Sequence, residues 1–321
     1  MAFVCWKRML ILLVAIGILM AHCQRLEDSL AEEETQQIER NSREIDDDAS
    51  ADGLAVSDYW TKIGGSMIRP SVGRCGVWGV NIFFSVYYRR NTYDNPKSLG
   101  DGWLGVLNDK PIKIRQVSVG YNTVWALDQY YKPYYREGIT ASEPTGTKWV
   151  KLSDKTRVKY ISVTQKGHVW GLSERDEPIF RKGASNTNIA GSEWQKVPGS
   201  RMQSIKAGEA GVWGINWGLP ENNQLWYRKG TYGDPDTNTI GSEWLAVGGV
   251  FSYISVGDQR VYGTNYTSEI FYRSGISATV PTGDKWVETD TGVRGLSELA
   301  YLKDTLWAID YNRAILAKIV T

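Results

Sequence analysis

Five arginines, Arg89, Arg136, Arg181, Arg228 and Arg273, each directly follow an aromatic side chain. The motifs read Tyr-Tyr-Arg twice, then Ile-Phe-Arg, Trp-Tyr-Arg and Phe-Tyr-Arg. Such a pair combines a planar fork of donors with a flat apolar face, the two features a hydroxyl-rich ligand needs from its pocket. A second recurring group is a polar residue closing a Val-Trp-Gly-like segment: Asn81, Asp128, Asn216, Asn265 and Asp310. Trp217 follows Asn216 in a stretch rich in Gly, Pro and Asn, which makes it a candidate exposed stacking face. A structural account of the same residues is equally open: Arg ties a strand end to a neighbouring carboxylate, and Asn or Asp makes the turn.

These residues sit in a repeat. Val-Trp-Gly-like segments begin at Val77, Val124, Val169, Val212, Val261 and Leu306, 43 to 49 residues apart. A Trp series runs Trp60, Trp103, Trp149, Trp194, Trp244, Trp286, and the last five follow Gly-x-x-Trp, from Gly100, Gly146, Gly191, Gly241 and Gly283. An Ile-Ser-Val-Gly-like segment recurs around Ser71, Ser118, Ser162 and Ser255. Each unit therefore holds four short β-rich segments separated by Gly, Asn or Asp. Four strands per unit of about 45 residues predict a propeller blade, and six units predict an all-β, six-bladed β-propeller of four-stranded antiparallel blades. Radial closure lets so many short strands coexist without long open edges. The repeat leaves the frame open: the blade coincides with the unit, or N-terminal strands complete the last blade as a clasp. The tryptophans of both series are expected to pack blade on blade.

The first 23 residues read as a signal peptide. Lys7 and Arg8 precede an apolar run from Met9 to Ala21, too short to span a bilayer core of about 30 Å as a helix. Residues 24–53 are acidic and lack aromatics, as expected of a disordered acidic arm or propeptide. The propeller is assigned to 54–321. After residue 52 the chain holds 32 basic and 25 acidic residues, a formal +7. That is too dilute for a nucleic-acid binder but favours approach to anionic surfaces. No membrane span is expected, and the mature chain is predicted to be secreted and extracellular.

With Cys5 and Cys23 removed, Cys75 is left alone, which excludes an intrachain disulfide and a cysteine zinc cluster. It is either an isolated thiol or an intermolecular bridge. Its place at a predicted hairpin turn favours exposure and a disulfide-linked homodimer. Asn265-Tyr266-Thr267 is a glycosylation sequon. Two histidines, His22 and His168, leave no multi-His metal site, and no metal or cofactor is predicted. There is no Gly-x-Ser-x-Gly and no P-loop. Sialidase Asp-boxes need Asp where Ser98, Pro144, Ile189, Thr239 and Pro281 stand before the Gly-x-x-Trp motifs. The chain is expected not to be an enzyme.

The ordered combination VWGIN, LWYRKG, GSEWLAVGG and ISVG resembles the tectonin-repeat lectin family over about 54–321. The resemblance implies a six-bladed propeller that binds sugar or bacterial lipopolysaccharide at repeated sites on or between blades, and a role in innate or egg defence. On that basis Arg89, Arg136, Arg181, Arg228, Arg273, Asn81, Asp128, Asn216 and Trp217 are the expected carbohydrate-binding residues. Unit 5 departs from the pattern with Tyr262 for Trp, and unit 6 with Ala317-Lys318 for aromatic-Arg, so fewer than six working sites are expected. The alternative is a secreted propeller that scaffolds protein–protein interaction.

Overall fold

The computed structural model describes residues 60–106, 112–216, 224–236, 240–289, 293 and 295–320. The segments read as signal peptide and acidic arm lie outside them. Apolar and aromatic residues punctuated by Gly, Asn and Asp form short strands joined by tight turns, and the described residues hold 24 strands in six four-stranded antiparallel sheets. After β1 (Thr61–Ser66), the first blade is β2 (Arg69–Gly73), β3 (Gly76–Val80), β4 (Val86–Arg89) and β5 (Trp103–Gly105). The second is β6 (Ile114–Val119), β7 (Val124–Asp128), β8 (Pro133–Glu137) and β9 (Lys148–Lys151). The third is β10 (Val158–Val163), β11 (Val169–Ser173), β12 (Pro178–Arg181) and β13 (Trp194–Lys196). The fourth is β14 (Met202–Gly208), β15 (Gly211–Asn216), β16 (Gln224–Arg228) and β17 (Trp244–Val250). The fifth is β18 (Tyr253–Val256), β19 (Val261–Thr264), β20 (Ile270–Arg273) and β21 (Trp286–Glu288). The sixth takes β22 (Leu296–Leu302), β23 (Thr305–Asp310) and β24 (Ala314–Ile319), and β1 pairs antiparallel with β24 to complete it.

The frame is thus the clasp. Each Trp strand closes the blade before it, so Trp103 pairs with Arg89 and Trp286 with Arg273. The second strands are buried on both faces because each is sandwiched between neighbouring blades. Successive side chains point to opposite neighbours. Val77 packs toward the sixth blade, and Trp78 packs toward the second. Six hydrophobic clusters result, one at each blade junction. Trp78, Trp125, Trp170, Trp213, Tyr262 and Trp307 anchor them, all buried. Each buried Trp removes about 150–250 Å² from water, roughly 4–6 kcal/mol at about 25 cal/mol per Å².

The inner strands are tied to one another by serine. The Ser71 hydroxyl accepts from Val119 N (3.0 Å), Ser118 from Val163 N (2.9 Å), Ser162 from Ala207 N (2.9 Å) and Ser255 from Tyr301 N (2.8 Å). In the fourth blade the serine position is Lys206, and in the sixth it is Ala300.

Candidate functional site

The five repeated arginines close five blades in the same way. Each Nε donates to a carbonyl of the loop leading into the Trp strand: Leu99 (2.8 Å), Thr145 (2.8 Å), Ala190 (2.8 Å), Ile240 (2.7 Å) and Thr282 (2.7 Å). In four of them Nη2 also donates to the carbonyl of the motif glycine, Gly100, Gly146, Gly241 or Gly283. The guanidinium carbon stands 5.4 to 5.5 Å from the centroid of Trp103, Trp149, Trp194, Trp244 or Trp286, a cation–π contact in every case. This explains Gly-x-x-Trp. Gly241 sits at φ 64°, and a Cβ there would run into the Lys229 carbonyl. Arg181 and Arg228 also cross to the preceding blade's rim: Arg181 Nη1 reaches Asp154 at 2.6 Å, and Arg228 Nη1 reaches the Pro198 carbonyl at 3.3 Å. Arg89, Arg136, Arg181 and Arg228 are buried and Arg273 is half-buried. Their acceptors are mostly loop carbonyls rather than the neighbouring carboxylates a strand tie suggests.

The polar residues lie elsewhere. Asn81 Oδ1 accepts from Phe83 N and Ser85 N, and Asp128 Oδ1 from Tyr130 N and Lys132 N. Asn216 Oδ1 accepts from Gln224 N, and Asp310 Oδ1 from Ala314 N. These side chains organise the hairpin between second and third strands. The third strand then carries the chain to the opposite face before the arginine is reached, a span of roughly 13 Å for four residues at about 3.3 Å each. The structure therefore does not bring the arginines and the Asn/Asp group into one pocket. Near the hairpin tips stand exposed aromatics that the repeat analysis did not single out: Phe83, Tyr130, Tyr266 and Tyr311. Trp217 lies outside the described residues.

Asn265 is half-buried in its turn, where Nδ2 donates to Glu269 Oε2 at 2.7 Å, and Thr267 is exposed. Cys75 corrects an expectation. The thiol is free but fully buried, because the turn that carries it packs on the next blade's hairpin: its N–H donates to the Gly120 carbonyl and its Sγ to the Tyr121 carbonyl (3.4 Å). Burial pushes its pKa up to about 12, against a lesser opposing pull from Arg74. A disulfide-linked homodimer through this enclosed thiol would require the turn to open.

Two further regions present side chains that could meet a ligand. The first is the rim, where outer-strand tryptophans meet the preceding blade. Trp244 donates Nε1 to the Pro198 carbonyl at 3.1 Å, and Trp286 to the Gly248 carbonyl at 3.0 Å. Each outer-strand Trp here lies against the backbone of the preceding blade. Trp194, Trp244 and Trp286 are half-buried, whereas Trp103 and Trp149 are buried. Three of the five arginine-paired tryptophans thus stay partly exposed to solvent.

The second is the central channel. One end is a cavity of about 410 Å³ lined by the turns after the inner strands. The other, about 380 Å³, is lined by the starts of the inner strands and carries Arg69, Arg115, Lys159, Lys206, Asp176 and Glu298. Desolvation opposes the Lys206 ammonium, but Tyr160 and Glu298 outweigh it and hold its pKa above the ordinary lysine value. Burial raises the Glu298 carboxyl above the usual carboxylate range, partly offset by Lys206 and Arg69. Lys206 was missed in the repeats although a signal existed: the Ile-Ser-Val-Gly series lacks its fourth copy, where Ile205-Lys206-Ala207-Gly208 stands. Among the described residues no group of three or more His, Cys, Asp or Glu could hold a metal ion. No helix among them is long and apolar enough to cross a membrane.

A six-bladed propeller of four-stranded blades, pinned at five rims by the same Arg–Gly–Trp arrangement, is the architecture built by this repeat. The Tectonin domain model matches residues 40–166 and 154–311, and the chain belongs to that family. It is 28% identical over 251 residues to the Perivitellin-2 31 kDa subunit of Pomacea maculata, covering 75% of this chain and 80% of that protein. It is 35% identical over 177 residues to the Tectonin beta-propeller repeat-containing protein of Drosophila melanogaster, covering 51% of this chain and 13% of that protein. Among solved structures, human WBSCR16 aligns with a TM-score of 0.48 at 11% identity over 81% of this chain and 75% of that one.

Proposed function

We propose that this chain is a secreted, non-enzymatic lectin that recognises glycans or lipopolysaccharide on microbial surfaces, in innate or egg defence. The observation that carries the reading is the rim: one Arg-pinned Trp arrangement recurs at five blade junctions and leaves indole surface accessible in three. A sugar would lay an apolar face on Trp194, Trp244 or Trp286 and take its polar contacts from the loop held by the arginine. The arginines then act by positioning the loop and indole. Three weak sites on one rigid ring gain avidity only against a repeating surface, which suits a microbial envelope. A glycan on Asn265 would decorate the opposite face from the arginine loops and leave the rim tryptophans clear. The test is a glycan array with the full chain, including lipopolysaccharides and methylated sugars, with and without EDTA. Selective binding competed by the matching free sugar is expected. A blank array from folded protein would overturn the reading.

A second reading has its own support. The Pomacea maculata relative is named as a subunit, which fits a chain that works within an assembly. Co-purification of a defined partner protein, with no competition by sugar, would favour that scaffold role.

A further inference from the structure

Repetition makes the exceptions informative. Four blades place serine at the mid-channel position of the inner strand, and each of those hydroxyls ties the next blade. The fourth blade gives up that tie for Lys206. A charge inside a channel is costly to desolvate, and half-buried Lys206 meets, among the described residues, only the Tyr160 ring at 5.4 Å and the attraction of Glu298. The neighbouring groups are also uneven. The end of the channel near Glu298 holds four cations, Arg69, Arg115, Lys159 and Lys206, against two carboxylates, Asp176 and Glu298. Lys159 and Asp176 satisfy each other at 2.7 Å. Glu298 is shared: it lies 3.9 Å from Arg69 Nε and also attracts the Lys206 ammonium. Among the described residues no carboxylate pairs with Arg115. Its guanidinium stacks on Tyr131 at 4.2 Å, and its buried Nε has no acceptor. Arg69 is tethered beside it through Nη1 to the Arg115 carbonyl at 3.2 Å. The result is a cavity of about 380 Å³ whose described lining holds two more cations than carboxylates. Its size falls within the small-ligand range of about 300–1,000 Å³.

We propose that this end of the channel binds one phosphate- or sulfate-class oxyanion through Arg69, Arg115 and Lys206. A dianion balances the two excess charges. Arg115 supplies a pre-stacked fork, Lys206 a point charge from the channel's midpoint, and Arg69 a second fork held by backbone. Glu298 shares Arg69 and Lys206 with the anion and limits its affinity. The site lies on the propeller axis, apart from the rim tryptophans, so its failure would leave the glycan reading untouched.

The test is calorimetric titration of the full chain with sodium phosphate and sodium sulfate at constant ionic strength in chloride. Saturable one-to-one binding is expected, with phosphate and sulfate competing. Lys206→Ser restores the repeat's own residue and should weaken binding about ten- to hundred-fold, the range for losing a charged hydrogen bond. Arg115→Gln should do the same, and serves if Lys206→Ser melts early. Glu298→Gln should bind more tightly, a gain that a misfolded variant cannot mimic. A sugar phosphate such as glucose 6-phosphate separates the sources: tighter binding than inorganic phosphate means the oxyanion arrives on a larger molecule, and equal or weaker binding means a free ion. Absence of saturable binding for all three probes, or binding unchanged in both Lys206→Ser and Arg115→Gln, would overturn the proposal.

Discussion

The rim and the channel are built from the same repeat and use it in opposite ways. At the rim, five blades repeat one arrangement almost atom for atom, with Nε to a loop carbonyl at 2.7 to 2.8 Å and the guanidinium over Trp at 5.4 to 5.5 Å. Along the axis, the repeat supplies a serine ladder that Lys206 interrupts, and Glu298 and Arg69 crowd the interruption. Uniformity at the rim is a packing solution shared by five blades, which the sixth, with Ala317-Lys318, does without. Variation among the five lies in the outer guanidinium contacts and in how much of each Trp reaches solvent. The axis is where Lys206 replaces the repeated serine and gives up its tie to the next blade. Residues that repeat with full burial are therefore explained by stability, and residues that repeat with exposure, or that break the repeat under burial, are the ones to test for binding.

This contrast can be broken by substitution. Trp213→Ala removes a fully buried anchor of the fourth and fifth blades' junction and should cost about 3–5 kcal/mol in urea denaturation, whereas half-buried Trp286→Ala should cost clearly less. Equal losses would erase the distinction between the two Trp series. Arg228→Ala strands the Ile240 and Gly241 carbonyls, leaves Pro198 to Trp244 alone, and should cost about 2–4 kcal/mol. Arg228→Lys should not recover it, because an ammonium cannot serve three diverging acceptors as the planar fork does. Ser162→Ala leaves the Ala207 N–H without its acceptor and should cost about 1–2 kcal/mol by thermal melting. Cys75 should resist a thiol reagent at pH 8 in native protein and react fully in denaturant, since burial keeps it protonated there. Fast native labelling would mean that its turn opens readily. Tyr130→Ala, at an exposed hairpin tip, should change stability by under about 0.5 kcal/mol and leave glycan binding as it was.

Much of the fold was legible because its four short β-rich segments recur in order, with Gly, Asn or Asp marking the turns between them. The frame was not, since whether Trp60 opens a blade or β1 closes one depends on contact between the two ends of the propeller. The candidate site was less legible still. Aromatic-Arg and Gly-x-x-Trp were both visible as motifs, yet their spacing does not reveal that the arginine's acceptors are the carbonyls of that glycine loop. Nor does sequence order show that Asn81 and Arg89 stand at opposite ends of one strand. Cys75 was misjudged because a turn normally faces water, and here it packs on the adjacent blade. Lys206 leaves no motif of its own, since its signal is a missing copy of the serine segment.

The rim tryptophans are tested as ligand contacts by titrating the full chain and its Trp194→Ala/Trp244→Ala/Trp286→Ala variant with the strongest ligand from the glycan array. The expected result is a variant that still melts cooperatively but has lost binding by more than about tenfold, with single variants losing avidity stepwise. Wild-type affinity in the folded triple variant would contradict it.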